Sequence, residues 1–255
     1  MNAMLIAVLL ALAPVCPQQK LQAVRFAPGE VLSYRLDVFG ADVGTFEVRT
    51  STPARSDKRA ALELSSRAHT SAFVSTTMGR YDAYATALLA TDFSPLRYRE
   101  DVDDGPVHRG TEVEFPPAPS GALTVKASTN GEPEQVAMQA GPEVRDLLSG
   151  FYLFRAQPMK AGATFCMEVF VGRKIWKVTG QVAAKETIDT PLGSMASMRI
   201  DAEAVRTDDE RVKRTAHVWV SDDERRLPLA AIGEMRGKVI RATLVSTSGT
   251  RRARR

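Results

Sequence analysis

One stretch of this chain, residues 142–157, carries an apolar stripe at helical period. Val144, Leu147, Leu148, Phe151 and Phe154 recur at i, i+3, i+4, i+7 and i+10. Almost every other ordered stretch alternates apolar and polar residues with period two, the signature of half-buried strands. A chain with one helix among so many alternating segments has few ways to bury its apolar faces. It must stack sheet on sheet, or roll one sheet and cover it with the helix. Pro142 suits the first helical turn, Glu143 and Arg155 complement the helix dipole, and Pro158 ends the helix by about Gln157. Two roles fit such a helix: a cover over one face or end of a sheet, or a lid with Phe151, Phe154 and Arg155 at the mouth of a cavity.

The strands fall on both sides of the helix. Ahead of it, strands are predicted at 31–39, 45–50, 61–68, 81–89, 96–102, 107–115, 123–127 and 135–138, with 70–80 a Ser/Thr-rich weak strand or loop. Past it they fall at 164–171, 174–183, 186–189, 194–205, 212–220, 227–232 and 238–246. The two sides resemble each other at an offset of about 127–133 residues. Gly29 and Gly162 open them, Val38-Phe39 is matched with Val169-Phe170, and Arg109-Gly110 with Arg236-Gly237. The expected fold is all-β and antiparallel, an open barrel or two-sheet sandwich. It has about ten to twelve strands in two similar β-meander halves, 26–140 and 159–248, joined by the central helix. Residues 24–248 form a single β domain in this reading.

The ends address the chain. Residues 4–13, MLIAVLLALA, have the length of a signal-peptide h-region and are too short to span a bilayer. A signal peptide is expected over 1–23, although Met1-Asn2-Ala3 lacks a basic residue. Cleavage could follow Ala11-Leu12-Ala13, where Pro14 opposes it, or Leu21-Gln22-Ala23. Cys16 invites a lipoprotein reading, but Val15 precedes it where a lipobox wants a small residue, so lipidation is disfavoured. Of the two cysteines, Cys166 reads best as a small buried hydrophobe on its strand. A disulfide with Cys16 is the alternative if cleavage falls early. No other hydrophobic run is long enough to be transmembrane. The chain's net charge is +4, and four of its arginines lie in the tail, 249–255, read as disordered. Without them basic and acidic side chains balance at 30 each, so no nucleic-acid partner is expected.

Chemistry-bearing residues are scattered. His69, His108 and His217 are far apart, and no G-x-S-x-G, S-x-x-K or H-E-x-x-H occurs. Asp101, Asp103, Asp104 and Gly105 miss the EF-hand spacing by one residue and read as a hairpin turn. Asp222-Asp223-Glu224 beside Arg225-Arg226 reads as a solvated turn rather than a carboxylate pair. No catalytic residue, metal or cofactor is assigned, and non-catalytic function is favoured. The aromatics remain: Tyr34, Tyr84, Trp176 and Trp219 on strands, with Phe151, Phe154 and Arg155 on the helix, are candidate lining for an apolar or amphiphilic ligand such as a lipid. Met138, Met159, Met167, Met195 and Met198 would add a soft wall. The competing reading of all these residues is a filled core. The rival functions are an envelope polysaccharide- or lipid-modifying enzyme using carboxylates, and a structural module that presents sheet edges to a partner.

Four stretches in order, PGEVLSYRLDVFGADVGTFEV, RDLLSGFYLFR, ETIDTPLG and VWVSDDERRLPL, resemble landmarks of bacterial exported proteins in the domain of unknown function 3108 family. The resemblance spans about residues 26–246. It implies an all-β protein of the periplasm or outer-membrane envelope with no assigned activity, and it supplies no catalytic residues.

Overall fold

The structure, a computed structural model, describes residues 16, 26, 29–53, 59–77, 79–116, 121–235 and 237–249. The leader expected over 1–23, apart from Cys16, and the arginine tail, apart from Gly249, lie outside the described residues. Before the central helix come β1 (Val31–Val38), β2 (Ala41–Ser51), β3 (Leu62–Thr70), a short helix α1 (Ala72–Thr77), β4 (Tyr81–Leu89), β5 (Pro95–Asp104), β6 (Val107–Glu114), β7 (Ala122–Thr129) and β8 (Glu132–Gln139). Then follow β9 (Arg145–Asp146), α2 (Leu147–Arg155), β10 (Thr164–Val171), β11 (Lys174–Thr190), β12 (Gly193–Arg206), β13 (Lys213–Ser221), β14 (Pro228–Met235) and β15 (Lys238–Ser248).

All fifteen strands, more than the ten to twelve expected, form one sheet in the order β8-β7-β6-β5-β4-β3-β2-β1-β15-β14-β13-β12-β11-β10-β9. Each half is a meander, and the halves join where β1 pairs antiparallel with β15. Alternation explains the strands. In β7, Leu123, Val125 and Ala127 are buried while Ala122, Thr124 and Lys126 face out.

The halves repeat closely. β1 to β6 begin at 31, 41, 62, 81, 95 and 107, and β10 to β15 at 164, 174, 193, 213, 228 and 238, an offset of 131 to 133. Left-handed backbone recurs at the same interval: Gly29 and Gly162, Phe39 and Gly172, Gly40 and Arg173, Phe93 and Arg226. This alignment revises two expected matches. Phe39 lies in the β1–β2 tip, whereas Phe170 is buried within β10. Gly110 lies within β6, whereas Gly237 lies in the β14–β15 tip and corresponds to Gly105, both with left-handed backbone.

The sheet rolls around α2. The largest core cluster joins Val48, Leu64, Tyr98, Val113 and Val125 of the first half to Leu148 and Tyr152 of the helix and to Phe170 and Ile175 of the second half. No residue of α2 is exposed; Leu147, Phe151 and Phe154 are half-buried and the others buried. A helix shielded all round sits inside a fold, here plugging one end of the roll. All five methionines named above pack in or against the core clusters.

The helix begins five residues later than Pro142 suggests. Arg145 and Asp146 pair in parallel with Val169 and Phe170 of β10. Asp146 is then the N-cap, accepting from the Leu148 and Ser149 amides at 2.8 and 2.9 Å and from Ser149 Oγ at 2.7 Å. Burial pushes its carboxyl up, and those hydrogen bonds pull against the rise. Two other expectations change. Residues 174–190 form one strand, with a bulge near Val182 and Ala184 where the sequence broke it in two. Residues 72–77 are a helix.

Strands near the two edges of the sheet meet through side chains. Arg173, in the tip between β10 and β11, donates to Thr111 Oγ1, Thr129 Oγ1, Gly110 O and Ser128 O of β6 and β7 at 2.5–3.3 Å. Glu168 Oε2 accepts from the Gly141 amide at 2.6 Å. This seam closes the roll without a backbone ladder. A disulfide joins Cys16 to Cys166 of β10. Cys166 is therefore not a free buried thiol, and the Cys16 sulfur that lipidation would use is taken.

Candidate functional site

The plugged end is organised by charge. Glu30, just ahead of β1, forms a two-pronged ion pair with Arg155 of α2, at 2.6 and 3.1 Å. Arg155 is 0% exposed. Its remaining donors reach the Arg225 and Arg226 carbonyls at 2.9 and 3.1 Å, and its guanidinium lies over the Phe26 and Tyr152 rings. Tyr152 Oη donates to Glu30 Oε2 at 3.2 Å. Both charges are satisfied inside the protein, as buried charges require. Arg155 therefore stands at no cavity mouth, and α2 is a plug rather than a lid. The Tyr34 hydroxyl is buried nearby with no hydrogen-bond partner among the described residues, and burial pushes its pKa up.

The opposite end is built differently. Ala202, Ala216 and Gly233 lie side by side across β12, β13 and β14, all half-buried. They share the inward face, because Ala202 and the neighbouring Val218 pack against the second core cluster. Phe165 covers Gly180, the next position on β11. Beyond it the wall thins at Gly233: among the described residues a carbon built there would meet only the Ala216 Cβ at 3.5 Å and the Thr215 carbonyl oxygen at 3.7 Å. Ala68 and Ala83, paired and half-buried on β3 and β4, repeat the pattern in the first half.

Polar groups mark the rim of this end. Trp176 is buried under the Arg214 guanidinium, 4.8 Å from its ring centre. Glu100 faces inward from β5, accepts from Tyr98 Oη at 3.1 Å, and is pushed up by burial against the pull of Tyr98, Arg109 and Arg173.

The structure disperses the sequence-predicted residues. Tyr34 and Phe151 belong to or pack against the third core cluster. Phe154 packs edge-on against Phe165 at 5.3 Å. Trp176 stands at the inner rim, as described. Tyr84 is exposed on the outer face, and Trp219, also outward, donates to Glu186 Oε2 at 3.1 Å. Sequence reasoning passed over Glu30, Glu100, Arg173 and Arg214. Their partners are strands away, so no local pattern marks them.

The outer face carries polar clusters. His217 and His108 meet Asp201 and Asp103 at 2.7 and 2.8 Å, each across a strand pair. His217 is the main cause holding the Asp201 carboxyl below its ordinary value. A shallow pocket of about 290 Å³ lies over β1 to β3, among Ser33, Arg35, Glu47, Arg67 and His69. Asp223 caps the β13–β14 turn, accepting from Ser221 Oγ and from the Arg225 and Arg226 amides. Among the described residues no group of three or more acidic, His or Cys side chains could hold a metal, and no helix is long and apolar enough to cross a membrane.

The sequence profile of the family described as "Protein of unknown function (DUF3108)" matches residues 32–244. No curated protein matches the chain. Among solved structures, a β-barrel-like protein of domain of unknown function DUF1849 from Brucella abortus superposes with a TM-score of 0.59 at 11% identity, covering 88% of this chain and 98% of that one. A protein with a YmcC-like fold, assigned as exported, from Bacteroides fragilis gives 0.34 at 8% identity, over 89% of this chain and 100% of its own. The first likeness supports the rolled-sheet fold; the second carries no argument.

Proposed function

The chain belongs to the DUF3108 family of proteins of unknown function, and from that starting point we propose that it is a non-catalytic exported protein of the bacterial cell envelope that holds an apolar or amphiphilic ligand in the unplugged end of its rolled sheet. One observation carries the reading: the inward wall of Ala202, Ala216 and Gly233 is half-buried, and among the described residues no side chain from across the roll packs on Gly233. A filled core would cover such a wall at crystal-like density. Concave apolar surface with a few polar groups at its mouth is the usual form of a small-molecule site. Trp176, Arg214 and Glu100 are those groups.

Export is supported by the leader-like residues 4–13 and by the disulfide, which belongs to oxidising compartments. In this reading Cys16 is retained and the leader is cleaved upstream of it, by the Ala11-Leu12-Ala13 sequence. The edge-presenting module is disfavoured, since the outer strand β8 carries Glu132, Pro133 and Glu134, residues that blunt an edge. Native mass spectrometry of protein purified from a periplasmic extract, against the denatured mass, tests the proposal. A lipid-sized adduct lost on denaturation is expected. A bare mass, together with failure to take up any added fatty acid or phospholipid, would refute it.

A further inference from the structure

The three most exposed large apolar side chains among the described residues are Phe39 (96%), Phe73 (73%) and Val239 (52%). They are far apart in sequence. Phe39 is in the β1–β2 tip, Phe73 in α1 between β3 and β4, and Val239 at the start of β15 beside the β14–β15 tip. Pairing brings them to one end. Asp37 of β1 stands opposite Arg241 of β15, and the Ser71 amide bonds to the Val43 carbonyl of β2. The sheet order β4-β3-β2-β1-β15-β14 makes the three tips consecutive neighbours round the rim of the unplugged end.

We propose that this arc of Phe39, Phe73 and Val239 inserts into a neutral lipid surface and sets the open rim of the roll against it. Three features select a lipid surface over other occupants. Tips two strands apart stand roughly 10 Å from one another. They form separate points rather than one continuous patch, and a bilayer interface admits each point independently, whereas a protein partner must supply matching pockets.

The flanking tips carry charge that is already paired: Asp103 with His108 and Asp104 with Arg109 on one side, Asp208 with Arg206 and Lys174 on the other. Among the described residues the shoulders of the arc thus offer no loose basic cluster for an anionic surface, and Lys238 beside Val239 is a single exposed cation within the arc. Finally, Phe39 holds left-handed backbone, φ +51°, at the position its counterpart half gives to Gly172. An aromatic at a strained, fully exposed site contributes no packing to the fold.

The inference does not depend on an interior ligand. The test is co-flotation of the full chain with vesicles of dioleoyl phosphatidylcholine, comparing wild type with the triple variant F39S/F73S/V239S. Wild type is expected to float and the variant to lose at least about tenfold in partitioning, with an unchanged thermal melt because all three side chains are exposed. Adding one-third phosphatidylglycerol or raising salt should change wild-type binding little. Absence of flotation, equal flotation of the variant, or binding that requires the anionic lipid would overturn the proposal. A wild-type dimer that the variant converts to monomer would overturn it too, assigning the arc to a second copy. A failed flotation beside an intact ligand adduct would remove this inference and leave the interior site standing.

Discussion

Arg155 shows what a single buried charge commits a chain to. Its partner Glu30 is 125 residues away, and two further carbonyls belong to a third segment, the β13–β14 turn. Removing one member leaves the other charged and dry, so Arg155→Met should cost about 3–5 kcal/mol in a urea melt. Glu30→Gln with Arg155→Met together should cost clearly less than the two singles summed, as coupled neighbours do. Glu100 acts in the other sense. Its carboxyl is raised by burial, so the fold prefers it protonated. The stability linked to it is full below its ordinary value of 4.5 and is lost as pH rises through its higher folded value. Glu100→Gln should therefore raise the melting temperature at pH 7.5 and leave it nearly unchanged at pH 4. Equal shifts at both pH values would contradict that assignment.

Among elements, the strands were the most legible, because alternation follows from a sheet with one buried face. The β5–β6 tip was legible too, since Asp103, Asp104 and Gly105 read as a hairpin turn and the structure gives Gly105 a φ of 62° there. The helix was legible in kind and misplaced in start. Pro142 and Glu143 are good first-turn residues, but Asp146 offers a cap with three hydrogen bonds, and β9 must pair before the helix can begin. Burial all round α2 was hidden because Ser149 and Arg155 look like surface residues until their partners are known. The seam had no sequence signal: Arg173 finds its acceptors only once the sheet has rolled. Arg173→Ala removes four hydrogen bonds and should cost about 1.5–3 kcal/mol. Amide exchange should accelerate in the β6–β7 and β10–β11 hairpins, while β1 and β15, at the centre of the sheet, keep their protection.

For the whole molecule, two meanders joined at β1 and β15 leave two free sheet edges, and α2, the seam and the disulfide hold those edges in register. The disulfide spans 150 residues. The chain-entropy relation gives a loop of that length about 5 kcal/mol of stabilisation, so Cys16→Ser, or reduction, should lower the urea midpoint markedly. The sequence left this pairing open because nothing local links a cysteine near the leader to one on a strand. The candidate ligand-lining residues were the least legible feature. Aromatics on strands were followed inward, yet Tyr84 and Trp219 face out, while the bare wall is made of alanine and glycine, whose significance lies in what fails to cover them. The most direct measurement of the central claim is a fluorescence titration with the apolar probe 1-N-phenylnaphthylamine, comparing wild type with Ala216→Leu/Gly233→Leu. Wild type should bind saturably with a blue-shifted emission, and the variant, its wall filled but its fold intact by circular dichroism, should bind at least about tenfold more weakly. Probe uptake that is absent in wild type, or equal in both proteins, would contradict an interior site at the open end.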